Sequence, residues 1–193
     1  MIYRMIVILT LILFYGCYFI KAFCQKKNGI QTTQLGKGKH GFVKFIEIAM
    51  AVFSILIVVA EVVSVYAGTY YNFALIRITG AGLSIVGVTV FIVSVLTMRD
   101  SWRVGVPEHD KVELVTTGIY QISRNPAFLG FDLVYIGILM MFFNGWLCLV
   151  TLVTVILFHL QIVNVEEDYL LVTFGEEYLK YKRKVCRYLG RKH

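Results

Sequence analysis

Five long apolar runs occupy most of this chain, and they constrain its fold more than any other feature of the sequence. The runs cover approximately residues 2–22, 43–67, 73–97, 127–143 and 145–163. A helix needs roughly 20 apolar residues to cross about 30 Å of hydrocarbon. With 58% hydrophobic and only 16% charged residues, the composition is also that of an integral membrane protein. The sequence therefore predicts an all-α integral membrane protein with five transmembrane helices and a C-terminal amphipathic helix.

These runs leave no room for a separate soluble domain, so we expect a single membrane domain over residues 1–193. Residues 1–97 would hold the first three spans. Residues 98–193 would hold a long loop, a helical hairpin and a tail. The first run is too long for the apolar core of a signal peptide and lacks a cleavage-site pattern, so it is predicted to remain as a helix.

Lysine and arginine residues cluster on the connections that would share one side of the membrane. They crowd the first connection (with Lys37), the third (with Lys111) and the tail, whereas only Arg4 and Arg77 fall on the other side. By the positive-inside rule the N-terminus is predicted to lie outside and the C-terminus in the cytoplasm. The net charge of +7 is thereby explained by topology and by anionic lipids of the inner leaflet. Binding to nucleic acid is not expected.

The cysteines and histidines indicate neither a disulfide framework nor a metal site. Cys17, Cys24, Cys148 and Cys186 form no C-x-x-C pair and have no metal-ligand spacing with the histidines. Metal-binding and disulfide-rich proteins both show such spacings. We therefore expect no metal in this protein.

Two features of the second and third spans bear on how the helices pack. Glu61 and Arg77 would lie at similar shallow depth, and they favour an inter-helix salt bridge over a functional site, although an ionisable residue inside a span is a functional signal by default. Span 3 also presents a small-residue face that lets helices approach closely. This face consists of Gly80, Gly82, Ser84 and Gly87. It would serve packing within the bundle or across a dimer, and the oligomeric state stays open.

Residues 98–126 form a long connection that ends in an Arg-Asn-Pro step. Long ordered loops often carry function. Pro126 disfavours helix at Asn125 and suits the first turn of a helix, so span 4 is predicted to start here. Because spans 4 and 5 form a tight hairpin, the acidic residues at 166–168 should return to the same membrane depth as this step. The segment "FGEEYLKYKRKVCRYLG" then predicts a basic amphipathic helix that lies on the inner leaflet or covers the site.

Two segments together resemble the isoprenylcysteine carboxyl methyltransferase and phospholipid methyltransferase families. They are "ELVTTGIYQISRNPAFLG" and, after the hairpin, "EEDYLLVTFGEEYLKYKRKVCRYL". The family pattern has G-I/V-Y, then Arg-His-Pro-x-Tyr, and later a Glu-Glu pair followed by F-G-x-E-Y. The resemblance covers roughly residues 100–190 and is closest to the broad bacterial branch, which implies a bacterial or archaeal cell membrane with the active site facing the cytoplasm.

The resemblance implies an S-adenosylmethionine-dependent methyltransferase that acts on a membrane lipid or a lipid-like acceptor. The cofactor would be lined by the backbone of Glu113, Leu114 and Val115, and Tyr120 would pack against it. The stretch Asn125, Pro126, Ala127 and Phe128 would wrap it, and Glu166 would bind one of its polar ends.

Three positions depart from the family pattern. The histidine before the proline is Asn125 here, which keeps hydrogen-bonding capacity but cannot titrate. The tyrosine is Phe128, which keeps only the aromatic face. Ile162 stands where prenylcysteine methyltransferases carry an arginine for the substrate carboxylate, so prenylcysteine methylation is doubtful and the acceptor stays open.

Two further polar residues could serve the substrate. Asp132, in span 4, could bind a cationic or hydroxyl-bearing headgroup or pair with Arg124. His159 could act as a base, although a histidine satisfied between helices is the favoured interpretation.

Two other functions are compatible with the sequence. One is an NADPH-dependent membrane reductase of the sterol-reductase type, which should show extra basic contacts for phosphate. The other is a non-catalytic membrane scaffold or transporter subunit. A transporter should show polar residues near the midplane or discontinuous helices in paired halves, and neither is evident here.

Overall fold

The computed structural model of the chain is helical throughout most of the residues that it describes, which are 1–36, 38–70, 73–106 and 112–192. Lys37, Lys111 and the middle of the long connection lie outside these residues. The described part contains six α-helices: α1 (Ile2–Lys27), α2 (Gly41–Ala67), α3 (Ala74–Met98), α4 (Pro126–Met141), α5 (Gly145–Gln161) and α6 (Glu167–Lys184). Short 3₁₀ turns at Arg99–Ser101 and Gly118–Gln121 flank the long connection, and a π-helical turn, Ile162–Glu166, joins α5 to α6.

Within the described residues, four helical segments are long and apolar enough to cross a membrane. They are α1, α2, α3 with its following turn, and the continuous helix Gly145–Lys184, of which α5 is the apolar part. Helix α4 has 16 residues, or about 24 Å at 1.5 Å per residue, which is shorter than a full span. An all-helical membrane protein is therefore confirmed, whereas the number of five spans and the orientation of the termini stay predictions.

Helices α3 and α4 pack in close contact through glycines. Gly87 faces Gly130, and Gly80 faces Gly137, so that a Cβ atom on Gly87 would lie 2.8 Å from the carbonyl oxygen of Gly130. The predicted small-residue face therefore packs inside the chain. Gly82 is the exception, because nothing lies within 4 Å of the position of its Cβ.

An aromatic cluster fills the space between α1, α3, α4 and α5. The ring of Phe14 lies 4.5 Å from that of Phe91 and 4.7 Å from that of Phe131, and Phe131 lies 5.4 Å from Phe158. Such tilted and edge-to-face contacts stabilise aromatic pairs beyond the area that they bury. This cluster fixes α4 and α5 beside α1.

The predicted salt bridge between Glu61 and Arg77 is wrong. The Arg77 guanidinium lies over the rings of Tyr3 and Tyr70, at 4.0 and 4.1 Å, in cation–π contacts. Glu61 is fully buried, and neither of its carboxylate oxygens has a hydrogen-bond partner among the described residues. Arg77 and Glu61 do not pair because the arginine contacts aromatic rings near the start of α3, whereas the glutamate faces the core.

The predicted tail helix is shorter than expected, and it packs against other parts of the protein. Helix α6 is broken at Gly175, whose φ of 50° is left-handed, and it ends at Lys184. Beyond it the chain turns back on itself: Val185 pairs with Arg191 in an antiparallel bridge, and the Cys186 N–H donates to the Gly190 carbonyl at 2.9 Å. The apolar residues of this segment, Tyr178, Tyr181 and Val185, are buried against Leu114, Leu170 and Phe174. Of the two predicted roles, the structure therefore favours covering the adjacent loop.

The glycine contact predicts a position-specific effect of an added methyl group. Gly87→Ala should destabilise the protein by about 1–3 kcal/mol, because the new Cβ would overpack the α3–α4 interface. Thermal unfolding in detergent measures the effect, and Gly82→Ala, on the same helix, is the matched control. Equal melting temperatures for both variants would contradict this packing.

Candidate functional site

A buried ion cluster joins the start of α4 to α6 and the tail. Arg124 Nη1 lies 3.0 Å from Glu167 Oε1, and both side chains are only 5% exposed. Arg187 Nε and Lys182 Nζ each lie 2.8 Å from the same carboxylate. Arg124 also donates to the Tyr178 hydroxyl at 2.8 Å. The predicted convergence of the Arg-Asn-Pro step with the acidic residues after α5 is thus confirmed.

The ion cluster determines the charge of Glu167. Burial alone would raise the pKa of this carboxyl, but hydrogen bonds from Arg187 and Lys182 and the charge of Arg124 outweigh burial and lower the pKa from 4.5 to about 2. Opposite charges and donated hydrogen bonds favour the ionised form. Glu167 is therefore an anion that holds the cluster together.

The tail lies over the predicted cofactor loop and binds its backbone. The Asn125 amide donates to the Arg187 carbonyl at 3.1 Å. The Gly190 N–H donates to the Ile122 carbonyl at 2.7 Å, and the Tyr181 hydroxyl donates to the Tyr120 carbonyl at 2.6 Å. Tyr120 and Pro126 are both buried. In this conformation the Asn125 amide is thus engaged by the protein itself.

A cleft of about 980 Å³ lies between the end of α3 and residues 113–117 of the long connection. Glu113, Leu114 and Val115, which the family resemblance assigns to the cofactor, line it. The Glu113 N–H donates to Ser101 Oγ at 3.1 Å. Carboxylate, hydroxyl and backbone groups share this cleft with aliphatic side chains. Its other lining residues are Ile30, Val93, Leu96, Thr97, Met98, Arg99, Asp100, Ser101, Arg103, Thr116 and Thr117.

A second cavity, a groove of about 660 Å³, lies among α1, α2, α4 and α5. Ala127 and Phe128 line it, and Phe128 packs edge-on against Phe158 at 5.4 Å. Its walls are almost entirely aliphatic and aromatic. Arg103 is the one described residue that lines both the groove and the cleft. Of the predicted site residues, Glu113, Leu114 and Val115 thus line the cleft and Ala127 and Phe128 line the groove, whereas the others line neither.

Glu166 belongs to a third group that the sequence analysis only half identified. Gln161 hydrogen-bonds Glu166 and also donates to Glu47 Oε1 at 3.3 Å. Glu47 is fully buried and accepts from the Gly36 N–H at 2.6 Å. Glu166 also interacts electrostatically with Tyr120. Glu47 and Gln161 were missed, although a carboxylate inside the apolar run 43–67 is a recognisable signal.

The two residues predicted to serve the substrate lie near the tail. His159 Nδ1 is 2.6 Å from the Tyr188 hydroxyl, and the two rings stack. Asp132 interacts electrostatically with Tyr188, and its Oδ1 has no hydrogen-bond partner within the described ranges. Arg124 pairs with Glu167 and not with Asp132. The hydrogen-bond partner of His159 is therefore Tyr188 of the tail. The sequence analysis had instead favoured a partner on a neighbouring helix.

Comparison with known proteins assigns the family. Residues 75–177 match the family model described as phospholipid methyltransferase. This chain belongs to the phospholipid methyltransferase family. The match covers α3, α4, α5 and most of α6, so it includes the ion cluster's Arg124 and Glu167. The resemblance seen in the sequence is thereby confirmed.

The chain is also similar to curated relatives over part of its length. The Protein-S-isoprenylcysteine O-methyltransferase of Saccharomyces cerevisiae is 38% identical over 78 residues, which are 40% of this chain and 32% of that protein. Protein-S-isoprenylcysteine O-methyltransferase B of Arabidopsis thaliana is 37% identical over 78 residues, 40% of this chain and 39% of that protein. The similarity thus covers only about a third of each relative's length. Both relatives are eukaryotic and give no support to the predicted bacterial or archaeal source.

The low pKa of Glu167 predicts a loss of stability in acid. Since the folded-state pKa lies below 4.5, the cluster stabilises the fold fully above about pH 4.5 and loses that contribution as the pH falls towards 2. A shift from 4.5 to about 2 corresponds to about 3 kcal/mol. About 2 kcal/mol of this contribution is lost between pH 7 and 3, and unfolding of the detergent-solubilised protein over that range measures the loss. Glu167→Gln should flatten this dependence, and Glu176→Gln, which removes an exposed pair with Arg183, should retain it.

Proposed function

We propose that this protein is an integral membrane methyltransferase that uses S-adenosylmethionine and methylates a lipid-like acceptor. The observation that carries the proposal is that two unlike cavities share Arg103 in their linings. One is a polar cleft at the end of α3, and the other is an apolar groove among the helices. A transfer reaction between a water-soluble donor and a lipid-soluble acceptor needs this arrangement.

The cleft has the groups that the cofactor requires. Asp100 and Glu113 offer carboxylates for its amino group and hydroxyls, and the backbone of 113–115 offers donors and acceptors. Leu114 and Val93 offer an apolar wall. When bound, S-adenosylmethionine supplies a methyl group on a positively charged sulfonium. The residues of the cleft would position that group, and positioning supplies much of the rate in reactions of this kind.

We propose that the edge of the cleft nearest the tail, here called the rim, also contacts the cofactor. The rim consists of Tyr120, Asn125 and Glu166. The short 3₁₀ turn that contains Tyr120 packs against α3, where Gly118 lies close to Thr97 of the cleft. Asn125 would reach the cofactor only when its bond to the Arg187 carbonyl opens. We infer that Glu113, Leu114 and Val115 hold the larger share of the cofactor.

The groove would hold the apolar part of the acceptor. The yeast and plant relatives are named for isoprenylcysteine, a cysteine with an apolar chain, and a groove with aromatic and aliphatic walls suits such a chain. Ile162 is fully buried and supplies no cation. Arg103 lies at the junction instead, and its guanidinium would orient an anionic group of the acceptor.

Binding of S-adenosylhomocysteine tests the donor half of the proposal. Calorimetry on detergent-purified protein should show micromolar affinity. Val115→Trp should weaken binding at least about tenfold, or 1.4 kcal/mol, because the indole would fill the cleft. Val172→Trp is the control, since Val172 is 86% exposed and lies on α6.

The other outcomes of this experiment are informative. Full binding by Val115→Trp together with weak binding by Asn125→Ala and Glu166→Ala would move the cofactor to the rim. Absence of binding by a folded wild-type protein, with binding of NADPH, would replace the proposal with the reductase alternative.

A block in the groove tests the acceptor half. Ser54 lines the groove from α2, whereas Val52 on the same helix is exposed. Ser54→Trp should reduce the transfer of labelled methyl groups to a membrane lipid extract or to S-farnesylcysteine at least about tenfold. It should leave the affinity for S-adenosylhomocysteine unchanged. Equal transfer by Ser54→Trp and Val52→Trp would rule out the groove as the acceptor site.

A further inference from the structure

The deep end of the apolar groove carries two hydroxyl groups. Tyr15 and Tyr135 both line the groove, and their hydroxyl oxygens are 3.4 Å apart. Phe128 and Tyr135 line the same wall and are seven residues apart on α4. The hydroxyl pair therefore lies about 10 Å along α4 from the end where the groove meets the loop.

A buried carboxyl group interacts with this pair of hydroxyl groups. Glu61, on α2, is fully buried and interacts electrostatically with both tyrosines. Neither Glu61 oxygen has a hydrogen-bond partner among the described residues, and Arg77, its expected partner, lies instead among aromatic rings. Leaving a polar group buried without a partner costs roughly 1–3 kcal/mol, and more for a charge. Among the described residues Glu61 is thus an unsatisfied acceptor that interacts with the hydroxyl pair, although it does not itself line the groove.

We propose that Glu61, Tyr15 and Tyr135 form a polar subsite that binds a hydroxyl group carried by the far end of the acceptor's apolar chain. The proposal rests on the proposed function and narrows its substrate class. The acceptor is an amphiphile with two polar ends, of which one is methylated near Arg103 and the other donates a hydrogen bond at the subsite. A hydroxyl group fits better than an ammonium group, because removing an ammonium from water costs far more.

Trp102 offers a direct readout of groove binding. It is buried and lines the groove, and the chain contains only two tryptophans. The other, Trp146, is exposed, so that a Trp146→Phe background leaves Trp102 as the single indole. Decanoate and 10-hydroxydecanoate are matched probes, since they differ only in a hydroxyl group at the end of the chain.

The full-length protein in detergent should bind 10-hydroxydecanoate about fivefold more tightly than decanoate, as expected for one net hydrogen bond. Tyr15→Phe and Glu61→Leu should each reduce this ratio to about one without changing the affinity for decanoate, which shows that the groove is intact. Thr151→Val is the matched control. Thr151 does not line the groove, and its buried hydroxyl has no hydrogen-bond partner among the described residues. In this variant the fivefold preference for 10-hydroxydecanoate should persist.

The outcomes separate the subsite from the proposed function. Equal affinities of the two probes for the wild-type groove, or a preference that survives both Tyr15→Phe and Glu61→Leu, would overturn the subsite and leave the acceptor groove in place. If Trp102 responds to neither probe, the groove does not take amphiphiles, and both the subsite and the acceptor half of the proposed function are wrong. If Glu61→Leu does not fold, Tyr15→Phe alone still tests the subsite, because it removes only one oxygen atom from the protein.

Discussion

The Arg124–Glu167 ion pair is the interaction on which the loop-facing end of the molecule depends. An ion pair that is almost fully buried is costly to desolvate, and further charged and hydrogen-bonding partners offset that cost here, although Arg124 Nε has no hydrogen-bond partner among the described residues. Glu167 receives Lys182 and Arg187 in addition to Arg124, and Arg124 donates to Tyr178. The residue before the Asn-Pro step is thereby tied to α6 and to the tail at once. Without Glu167, the polar contacts among the described residues that hold the tail over Tyr120 and Asn125 would be single hydrogen bonds only.

The contacts between the helices determine where the apolar groove lies. Glycine contacts bring α3 and α4 together so closely that no cavity separates them. Aromatic rings keep α1, α4 and α5 apart, and α2 packs against α5 from the other side. The groove lies in this wider space. Small glycines close the gap between α3 and α4, whereas large phenylalanines hold α1, α4 and α5 apart. The size of the contact residues therefore determines where the bundle leaves space for an apolar ligand.

Much of this arrangement follows from the sequence by elementary geometry. The apolar runs locate the helices to within a few residues, Pro126 marks the first residue of α4, and the hairpin of α4 and α5 brings residue 124 to residue 167. The failures have a common physical cause. Arg77 and the tail had alternative partners that no periodicity reveals: aromatic rings of distant segments for the arginine, and the backbone of the 120–125 loop for residues 186–190. Local pattern determines which residues form a helix, whereas the choice between competing partners depends on the packed fold.

The position of Arg103 connects the physical chemistry of the bilayer with that of the reaction. A sulfonium donor cannot enter hydrocarbon without a large loss of hydration, and an apolar acceptor cannot leave it without a similar loss of burial. The two must meet at the boundary. Arg103 follows the 3₁₀ turn at the end of α3, and its guanidinium donates to the backbone carbonyls of Asp100 and Trp102. In the proposed reaction Arg103 would face both cavities, and we expect the specificity for the acceptor to depend on what the far end of the groove can bind.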